Sequence, residues 1–365
     1  MELTFADVLE IYNGRNQRQV ENPAGRYPIY GSGGVMGYAD DYICPENTVV
    51  IGRKGSINKP IFVTTPFWNV DTAFGLVAKP GILLPKYLYY FCEWFDFEKL
   101  NTTVTIPSLT KANILQIHIH LPSMEDQWKI VQKFEAVESL ISHRQDEIHD
   151  LDQLIKARFV EMFGDPEYNN KGWPLKYLND LCNIGSSKRI YQEEQTMEGV
   201  PFWRISDLVS KMDTGNVESS LFIPESRYEE LKEQGLVPEP GDILVTSRGT
   251  LGRCYIVDPD DRFYFQDGMI SWLSNYSDEI TPLYIQYLFD MSGFRKQIDG
   301  LQAGSTVAYL SIAMIKKLNV MVPCRKLQEQ FATFVSQVDK SKLPVQASID
   351  QLETLKQSLM QKYFG

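Results

Sequence analysis

Leu151-Asp152-Gln153-Leu154-Ile155-Lys156-Ala157-Arg158-Phe159-Val160-Glu161-Met162-Phe163-Gly164 has a counterpart in Leu352-Glu353-Thr354-Leu355-Lys356-Gln357-Ser358-Leu359-Met360-Gln361-Lys362-Tyr363-Phe364-Gly365. The match runs backwards without a gap, so residues 105–164 lie over 306–365 at a constant shift of 201 positions. Thr105 falls on Thr306, Leu109 on Leu310, Ile114 on Ile315, Pro122 on Pro323, Gln127 on Gln328, Val137 on Val338 and Ile148 on Ile349. Self-similarity at a fixed, long period marks a duplicated architectural unit. The first copy closes after Gly164, where Asp165-Pro166 is a natural helix stop.

Both copies predict a long helix. From Gln127 to Met162 the apolar residues keep a heptad, with Phe134, Ile141, Ile148 and Ile155 at one position and Ile130, Val137 and Leu151 at the other. The second copy sets Val335 and Ile349 at the first position and Phe331, Val338, Val345, Leu352 and Leu359 at the second. Lys342 and Lys356 stand where the first helix has Ile141 and Ile155; Arg144 and Arg158 stand where the second has Val345 and Leu359. Each seam is strong where the other is weak, which favours pairing of the two helices with each other. Since a globular lobe separates them, antiparallel pairing is the simpler closure. The expected interface is Phe134, Val137, Ile141, Ile148, Leu151 and Ile155 against Val338, Val345, Ile349, Leu352 and Leu359. Pro344 is expected to kink or divide the second helix. The plainer alternative is that each heptad buries its helix on its own lobe.

The predicted class is α+β: two mixed α/β lobes separated by a long antiparallel two-helix coiled coil, in a pseudo-twofold internal repeat. The expected boundaries are 1–121 for the first lobe, 122–165 for its helix, 166–322 for the second lobe and 323–365 for the distal helix. Strands are expected at Thr48–Ile51, Ile61–Val63 and Asp242–Val245, and at Ile117–Leu121, where apolar and polar residues alternate. His118 and His120 of that last segment should face away from its buried side, with no third ligand nearby, so no metal is expected. Upstream of the helices the copies keep only an outline. Phe5–Ile11 resembles Leu178–Ile184, and Val50–Ile57 aligns with Val245–Leu251 through Gly55 and Gly249, Ser56 and Thr250, and Ile57 and Leu251. Similar helices behind dissimilar lobes suggest one scaffold carrying two binding specificities.

A length of 365 residues suggests two or three domains, and 43% hydrophobic content suits a folded chain. Met1-Glu2-Leu3-Thr4 lacks a basic, apolar leader and no run reaches the roughly 18 apolar residues of a membrane span, so the expected location is the cytoplasm, with no membrane partner. Five scattered cysteines, Cys44, Cys92, Cys182, Cys254 and Cys324, fit reduced thiols. The net charge of −11 weighs against non-specific nucleic-acid binding, which draws on a basic excess.

Polar residues nevertheless gather in loops after strands, where a rigid scaffold places recognition groups. In the first lobe the candidates are Arg15 and Arg18, then Tyr30, Ser32 and Gly33, then Arg53, Lys54, Ser56, Asn58 and Lys59. In the second they are Lys188 and Arg189, Arg204 and Ser206, Ser247, Arg248, Thr250 and Arg253, with Ser305 and Thr306 ahead of the repeat helix. Arg, Asn and Ser/Thr side chains read base edges, and glycines let backbone N–H groups approach phosphates. Each loop alone reads more readily as an ordinary turn; their recurrence at matching places in both lobes shifts the balance. Catalytic signatures are missing from the sequence: there is no Pro-Pro step, no G-x-S-x-G, no H-E-x-x-H and no Walker-type lysine loop. Pro224-Glu225 with Glu230-Leu231-Lys232 is too compressed for a nuclease centre and reads as a surface helix.

These features together resemble the specificity subunit of type I restriction-modification systems over essentially the whole chain. Tyr27–Gly34 with Ile51–Ile57 and Phe67–Thr72 is similar to one class of target-recognition domain, Gly199–Asp207 with Gly241–Val245 to another, and Leu352–Met360 followed by Tyr363-Phe364-Gly365 to the family's distal helix. The resemblance implies two target-recognition domains, each reading half of a split double-stranded DNA site, with the helices as a ruler. It also implies two methylation subunits using S-adenosylmethionine on adenine N6, and motor-nuclease subunits using ATP and Mg, with no cofactor in this chain. Basic surface supplied by those partners would account for the acidic charge. Three alternatives stay open: a related system in which one partner carries both cleavage and methylation, a self-sufficient methyltransferase or nuclease, and a coiled-coil adaptor whose lobes bind protein.

Overall fold

The structure, a computed structural model, describes residues 2–100, 108–301 and 308–365. They form two compact units, one of residues 1–147 with 344–365 and the other of residues 148–343. The first contains β1 (Glu2–Thr4), α1 (Phe5–Val8), β2 (Leu9–Asn13), β3 (Tyr27–Gly31), β4 (Gly34–Ala39), β5 (Thr48–Gly52), β6 (Ile61–Val63), β7 (Trp68–Asn69), β8 (Ala73–Ala78), α2 (Pro85–Trp94), α3 (Lys111–Leu115) and β9 (His118–His120). It also takes the first part of α4 (Met124–Phe163). The second contains β10 (Leu175–Tyr177), β11 (Asn183–Gly185), β12 (Val200–Trp203), α5 (Ile205–Thr214), β13 (Phe222–Ile223), α6 (Glu225–Glu233), β14 (Ile243–Thr246) and β15 (Cys254–Ile256). There follow β16 (Tyr264–Phe265), β17 (Ile270–Ser274), α7 (Pro282–Asp290), α8 (Ser292–Leu301), α9 (Ile312–Lys316), β18 (Asn319–Met321) and the first part of α10 (Arg325–Phe364).

The lobes are less dissimilar than their sequences. Among the described residues the sheet order β2-β8-β5-β6 is repeated as β11-β17-β14-β15, β4-β3-β7 as β13-β12-β16, and the pair β1-β9 as β10-β18. Even the mixed pairing is kept: β3 is antiparallel to β4 and parallel to β7, as β12 is to β13 and β16. Strand pairing is a backbone property, whereas buried positions accept any apolar residue of suitable volume, so sequence drifts further than topology. The central strands β5 and β14 are buried throughout. In β9 the predicted alternation holds, with Ile119 inward and His118 and His120 exposed. The 225–233 segment is a helix, with Tyr228 and Leu231 on its buried side. All five cysteines are unpaired.

The repeated glutamines explain how each long helix starts. Gln127, fully buried, accepts the Leu84 N–H through Oε1 (2.9 Å) and donates through Nε2 to the carbonyls of Ile82 (2.9 Å) and Pro122 (3.1 Å). Gln328 does the same for the Thr281 N–H (2.8 Å) and the Glu279 (2.8 Å) and Pro323 (2.9 Å) carbonyls. A buried amide is tolerated only when its hydrogen bonds are made, and here they tie the first turn of a helix to the loop before α2 or α7.

The closing phenylalanines are equally alike. In the first unit Phe364 stacks on Phe134 (5.9 Å) and lies edge-on to Tyr87 (5.2 Å), whose hydroxyl donates to the His120 carbonyl (3.1 Å). In the second, Phe163 lies edge-on to Tyr284 (4.9 Å) and Phe331 (5.4 Å), and the Tyr284 hydroxyl donates to the Met321 carbonyl (3.0 Å). Burying each ring contributes about 1.5–3 kcal/mol. The two lysines of the second heptad meet carboxylates: Lys356 pairs with Glu138 (2.8 Å) and Glu93 (3.1 Å) in the first unit, and Lys342 with Asp152 (2.7 Å) in the second. Arg158 lies over the Phe334 ring (5.6 Å). Within each unit the partners on α10 descend in number as those on α4 ascend, from Phe134–Phe364 to Glu138–Lys356 in the first and from Asp152–Lys342 through Arg158–Phe334 to Phe163–Phe331 in the second.

Of the expected interface, Phe134, Val137, Ile155, Val338, Val345 and Ile349 are buried, and Ile141, Ile148, Leu151, Leu352 and Leu359 are half-buried. Of the kink or division expected at Pro344, the division does not occur: α10 runs as one helix from Arg325 to Phe364 with Pro344 inside it. A proline there removes one backbone N–H at a cost of about 3 kcal/mol. Burial of Val338, Val345 and Ile349 along the same helix offsets that loss.

Candidate nucleic-acid interface

In the first lobe a single segment, Asn69–Thr72, gathers all three predicted loops. The Arg15 N–H donates to the Asn69 carbonyl (2.8 Å), the Val70 N–H to the Tyr30 carbonyl (3.0 Å), and the Arg53 N–H to the Thr72 carbonyl (2.8 Å). Trp68 Nε1 fixes the same region by donating to the Arg15 carbonyl (3.1 Å). Ser32, next to the hairpin tip, sits where a Cβ on Gly52 would meet its Cβ at 3.1 Å. Asn69 itself is fully buried, with its Nδ2 bound to the Ala73 carbonyl (3.2 Å). The side chains of Arg15, Arg18, Arg53, Lys54, Ser56 and Lys59, together with Gly33, are exposed at the rim. Tyr30 is half-buried, edge-on to Phe67. Asn58 acts as a turn pin: its Oδ1 accepts the Phe97 N–H (2.7 Å) and its Nδ2 donates to Asp96 (2.8 Å).

The second lobe repeats this construction around Phe265–Ile270. The Gln266 N–H donates to the Trp203 carbonyl (2.9 Å) and the Ser247 N–H to the Met269 carbonyl (2.9 Å). Ser187 Oγ donates to the Phe265 carbonyl (2.7 Å) and Ser186 Oγ to the Ile270 carbonyl (3.1 Å). The loops carrying Lys188-Arg189, Arg204-Ser206 and Arg248–Arg253 therefore converge here. Two observations confirm that the loops after β5 and β14 are equivalent. The Leu109 N–H donates to the Arg53 carbonyl (2.9 Å) and the Leu310 N–H to that of Ser247 (3.0 Å). Gly55 and Gly249 both take left-handed backbone, φ 80° and 68°, which a side chain would strain.

Ser247 is a correction to the candidate set. It is 1% exposed and its hydroxyl is paired with that of Ser271 (2.9 Å), so it holds the loop and does not face a ligand. Ser305 and Thr306 lie outside the described residues. Ser186 and Ser187 belong to the loop expected before Lys188-Arg189, and Asn69 to the Phe67–Thr72 motif, but their holding role through backbone carbonyls, and the pairing of Asp267 with Arg189, leave no spacing signal in the sequence.

The lobes differ in charge. Among the described residues, the ion pairs leave Arg15, Arg18, Arg53, Lys54 and Lys59 without a carboxylate partner. In the second lobe Arg189 pairs with Asp267 (2.9 Å), Arg204 with Asp207 (3.6 Å) and Arg253 with Asp213 (2.6 Å), while Arg248 lies over the Tyr309 ring (5.4 Å). Lys188 is held by its backbone, its N–H donating to the Tyr264 hydroxyl (2.8 Å). No group of three or more His, Cys, Asp or Glu among the described residues is placed to hold a metal ion, and no described helix is long and apolar enough to cross a membrane.

Two lobes of one topology, each gathering three polar loops at one strand segment, define a duplicated recognition scaffold. The family model for the type I restriction modification DNA specificity domain matches residues 1–150 and 170–354, and the chain belongs to that family, whose task is DNA specificity and not catalysis. S.HindORF215P of Haemophilus influenzae, named as a type I restriction enzyme specificity subunit, is 24% identical over 87% of this chain and 81% of its own. The type I restriction enzyme MjaIX specificity subunit of Methanocaldococcus jannaschii is 23% identical over 88% and 77%. Among solved structures, the type I restriction-modification S subunit from M. genitalium aligns over 100% of this chain and 96% of its own, with TM-score 0.51 at 18% identity. A chain from a structure of complex assembly and conformational transition in a type I R-M system aligns over 100% and 97%, with TM-score 0.55 at 16% identity.

Proposed function

We propose that this chain is the DNA sequence-specificity subunit of a type I restriction-modification complex, and that each lobe reads one half of a split duplex site. The observation that carries the proposal is the gathering of three polar loops at an equivalent strand segment in both lobes, with different chemistry on each rim. Repeated geometry with changed side chains suits two related readings of different sequences. The α4 and α10 helices act as an antiparallel coiled coil that fixes the spacing of the half-sites, giving the chain pseudo-twofold symmetry. The reversed order of helix partners within each unit supports that arrangement.

In the assembled complex two methylation subunits dock with one copy of this chain and transfer a methyl group from S-adenosylmethionine to adenine N6. Motor-nuclease subunits add cleavage driven by ATP with Mg. Catalysis and cofactors reside in those partners, in the cytoplasm. The net charge of −11 then suits a subunit whose DNA is clamped mainly by its partners, leaving local arginines and lysines to meet bases and nearby phosphates.

Methylome sequencing of cells carrying the gene tests the reading: a bipartite methylated motif is expected. Replacing residues 1–121 with the corresponding lobe of another specificity subunit should change one half of that motif only. An unsplit motif, or change in both halves, would overturn it.

A further inference from the structure

The hairpin of β3 and β4 carries an exposed apolar pair that belongs to neither of the buried clusters beneath it. Val35 is 53% exposed and Met36 62%. A regular strand sends successive side chains to opposite faces. Here Val35 pairs with Tyr30 and Gly37 with Ile29, so Met36 is the extra residue of a β-bulge, a device that re-aims side chains. Ahead of the pair, a Cβ at Gly33 or Gly34 would meet nothing within 4 Å, and Gly34 takes φ 117°, so the tip is little thicker than its backbone. A Cβ on Gly31 would stand 2.6 Å from the Met36 sulfur, which places the thioether over the tip. An unbranched, polarizable side chain adapts to flat, irregular surfaces.

The hairpin is also continuous with the interface. Ser32 lies against Gly52, where the Arg53-Lys54 loop begins, and the Tyr30 carbonyl is bound to the segment that also holds Arg15. The hairpin that bears the exposed apolar pair thus borders loops whose exposed cations are suited to phosphates. The second lobe lacks this device: the ten-residue helix α5 stands between β12 and β13, in place of a tight hairpin.

Resting on the reading of the first lobe as a DNA reader, we infer that Val35 and Met36 form an apolar wedge pressed between two stacked base pairs of its half-site. Arg15, Arg53 and Lys54 hold the flanking backbone while the thin tip enters the groove. Apolar wedges of this kind unstack a base step and kink the duplex. Pyrimidine–purine steps open most easily, so the half-site contains one at the wedge position.

The test uses the complex of the full chain with its methylation subunits, bound to duplexes in which 2-aminopurine replaces single bases of the first half-site other than the methylated adenine. Unstacking at one step should raise emission there. The Val35→Ser, Met36→Ser double variant should abolish that rise and weaken binding about tenfold, the scale set by the apolar surface returned to water. Both side chains are exposed, so its thermal melt should match wild type. Equal emission from wild type and variant would overturn the wedge. So would a wild-type complex that raises emission nowhere, which would leave only groove-surface contact, or a variant defective in subunit assembly but normal in DNA binding. A residue 1–121 swap that leaves both halves of the motif unchanged refutes DNA reading by this lobe; a swap that acts, with flat emission, refutes the wedge alone.

Discussion

The first lobe meets solvent with a glycine-tipped hairpin and cations free of carboxylates, whereas the second, at the same place in the topology, presents a helix and, beside Lys188 and Arg248, three arginines held by aspartates. A free lysine or arginine is attracted to any phosphate and so adds affinity without choosing a sequence. An arginine braced by a carboxylate has a fixed direction and lower local charge, so it favours a matched acceptor over a passing phosphate. Duplication therefore supplied two copies of a mounting, and the mounted groups diverged. What stayed alike is what closes the fold: Gln127 and Gln328 at the helix starts, Phe163 and Phe364 at the ends.

The largest effects should fall on that shared part. Phe163→Ala and Phe364→Ala should each destabilise by about 3–5 kcal/mol, since each empties a packed aromatic site. Urea titration following each unit's own transition measures this, and a loss below about 1 kcal/mol for either would break the equivalence. Next is Lys356, which replaces the apolar residue found at Ile155 and answers Glu93 and Glu138, with 22% of its side chain exposed. Lys356→Ile should cost about 1–3 kcal/mol by stranding two carboxylates, a value lowered by their partial solvation. Adding Glu93→Gln and Glu138→Gln should recover part of it; no recovery would mean that the ion pairs do not set this difference between the copies.

Legibility in the sequence followed the physics of each signal. The heptads are readable because packing along a helix repeats at a fixed period, and the shift of 201 positions marks Gln127 and Gln328 as equivalent positions. The alternation at 117–121 gave β9 for the same reason. The likeness of the lobes was only an outline, because strand order is carried by backbone pairing that leaves little trace in side-chain identity. Among site residues, loop membership could be read, but side-chain direction could not. Ser247 belongs to the right loop and turns inward to Ser271, while Met36 lies beyond the glycine run and turns outward through a bulge. Division at Pro344 does not follow from the helix rule alone, because the burial of Val338, Val345 and Ile349 on either side holds one helix together.

The charge contrast yields two smaller, opposed effects. Removing Arg53 and Lys54 together by alanine should lower the slope of log Kobs against log salt by about 0.9 for each phosphate no longer neutralised, so by about 2, with the first half of the motif bound more weakly but no less selectively. Asp267→Ala should act the other way. Arg189 is 64% exposed and Asp267 22%, so the carboxylate is the better fixed member and holds the guanidinium. An exposed pair of this kind contributes at most about 1 kcal/mol to folding, so the variant should remain folded. Once released, Arg189 becomes a mobile cation like those of the first lobe. Binding to unrelated duplex should strengthen a few-fold at low salt, the salt slope should steepen by up to about 1, and selectivity should relax only at the base pairs of the second half-site. Both changes are measured on the assembled complex by titrating matched, half-matched and unrelated duplexes across salt concentrations. If Asp267→Ala leaves slope and selectivity unchanged, the aspartate is not what separates the second lobe's manner of reading from the first's.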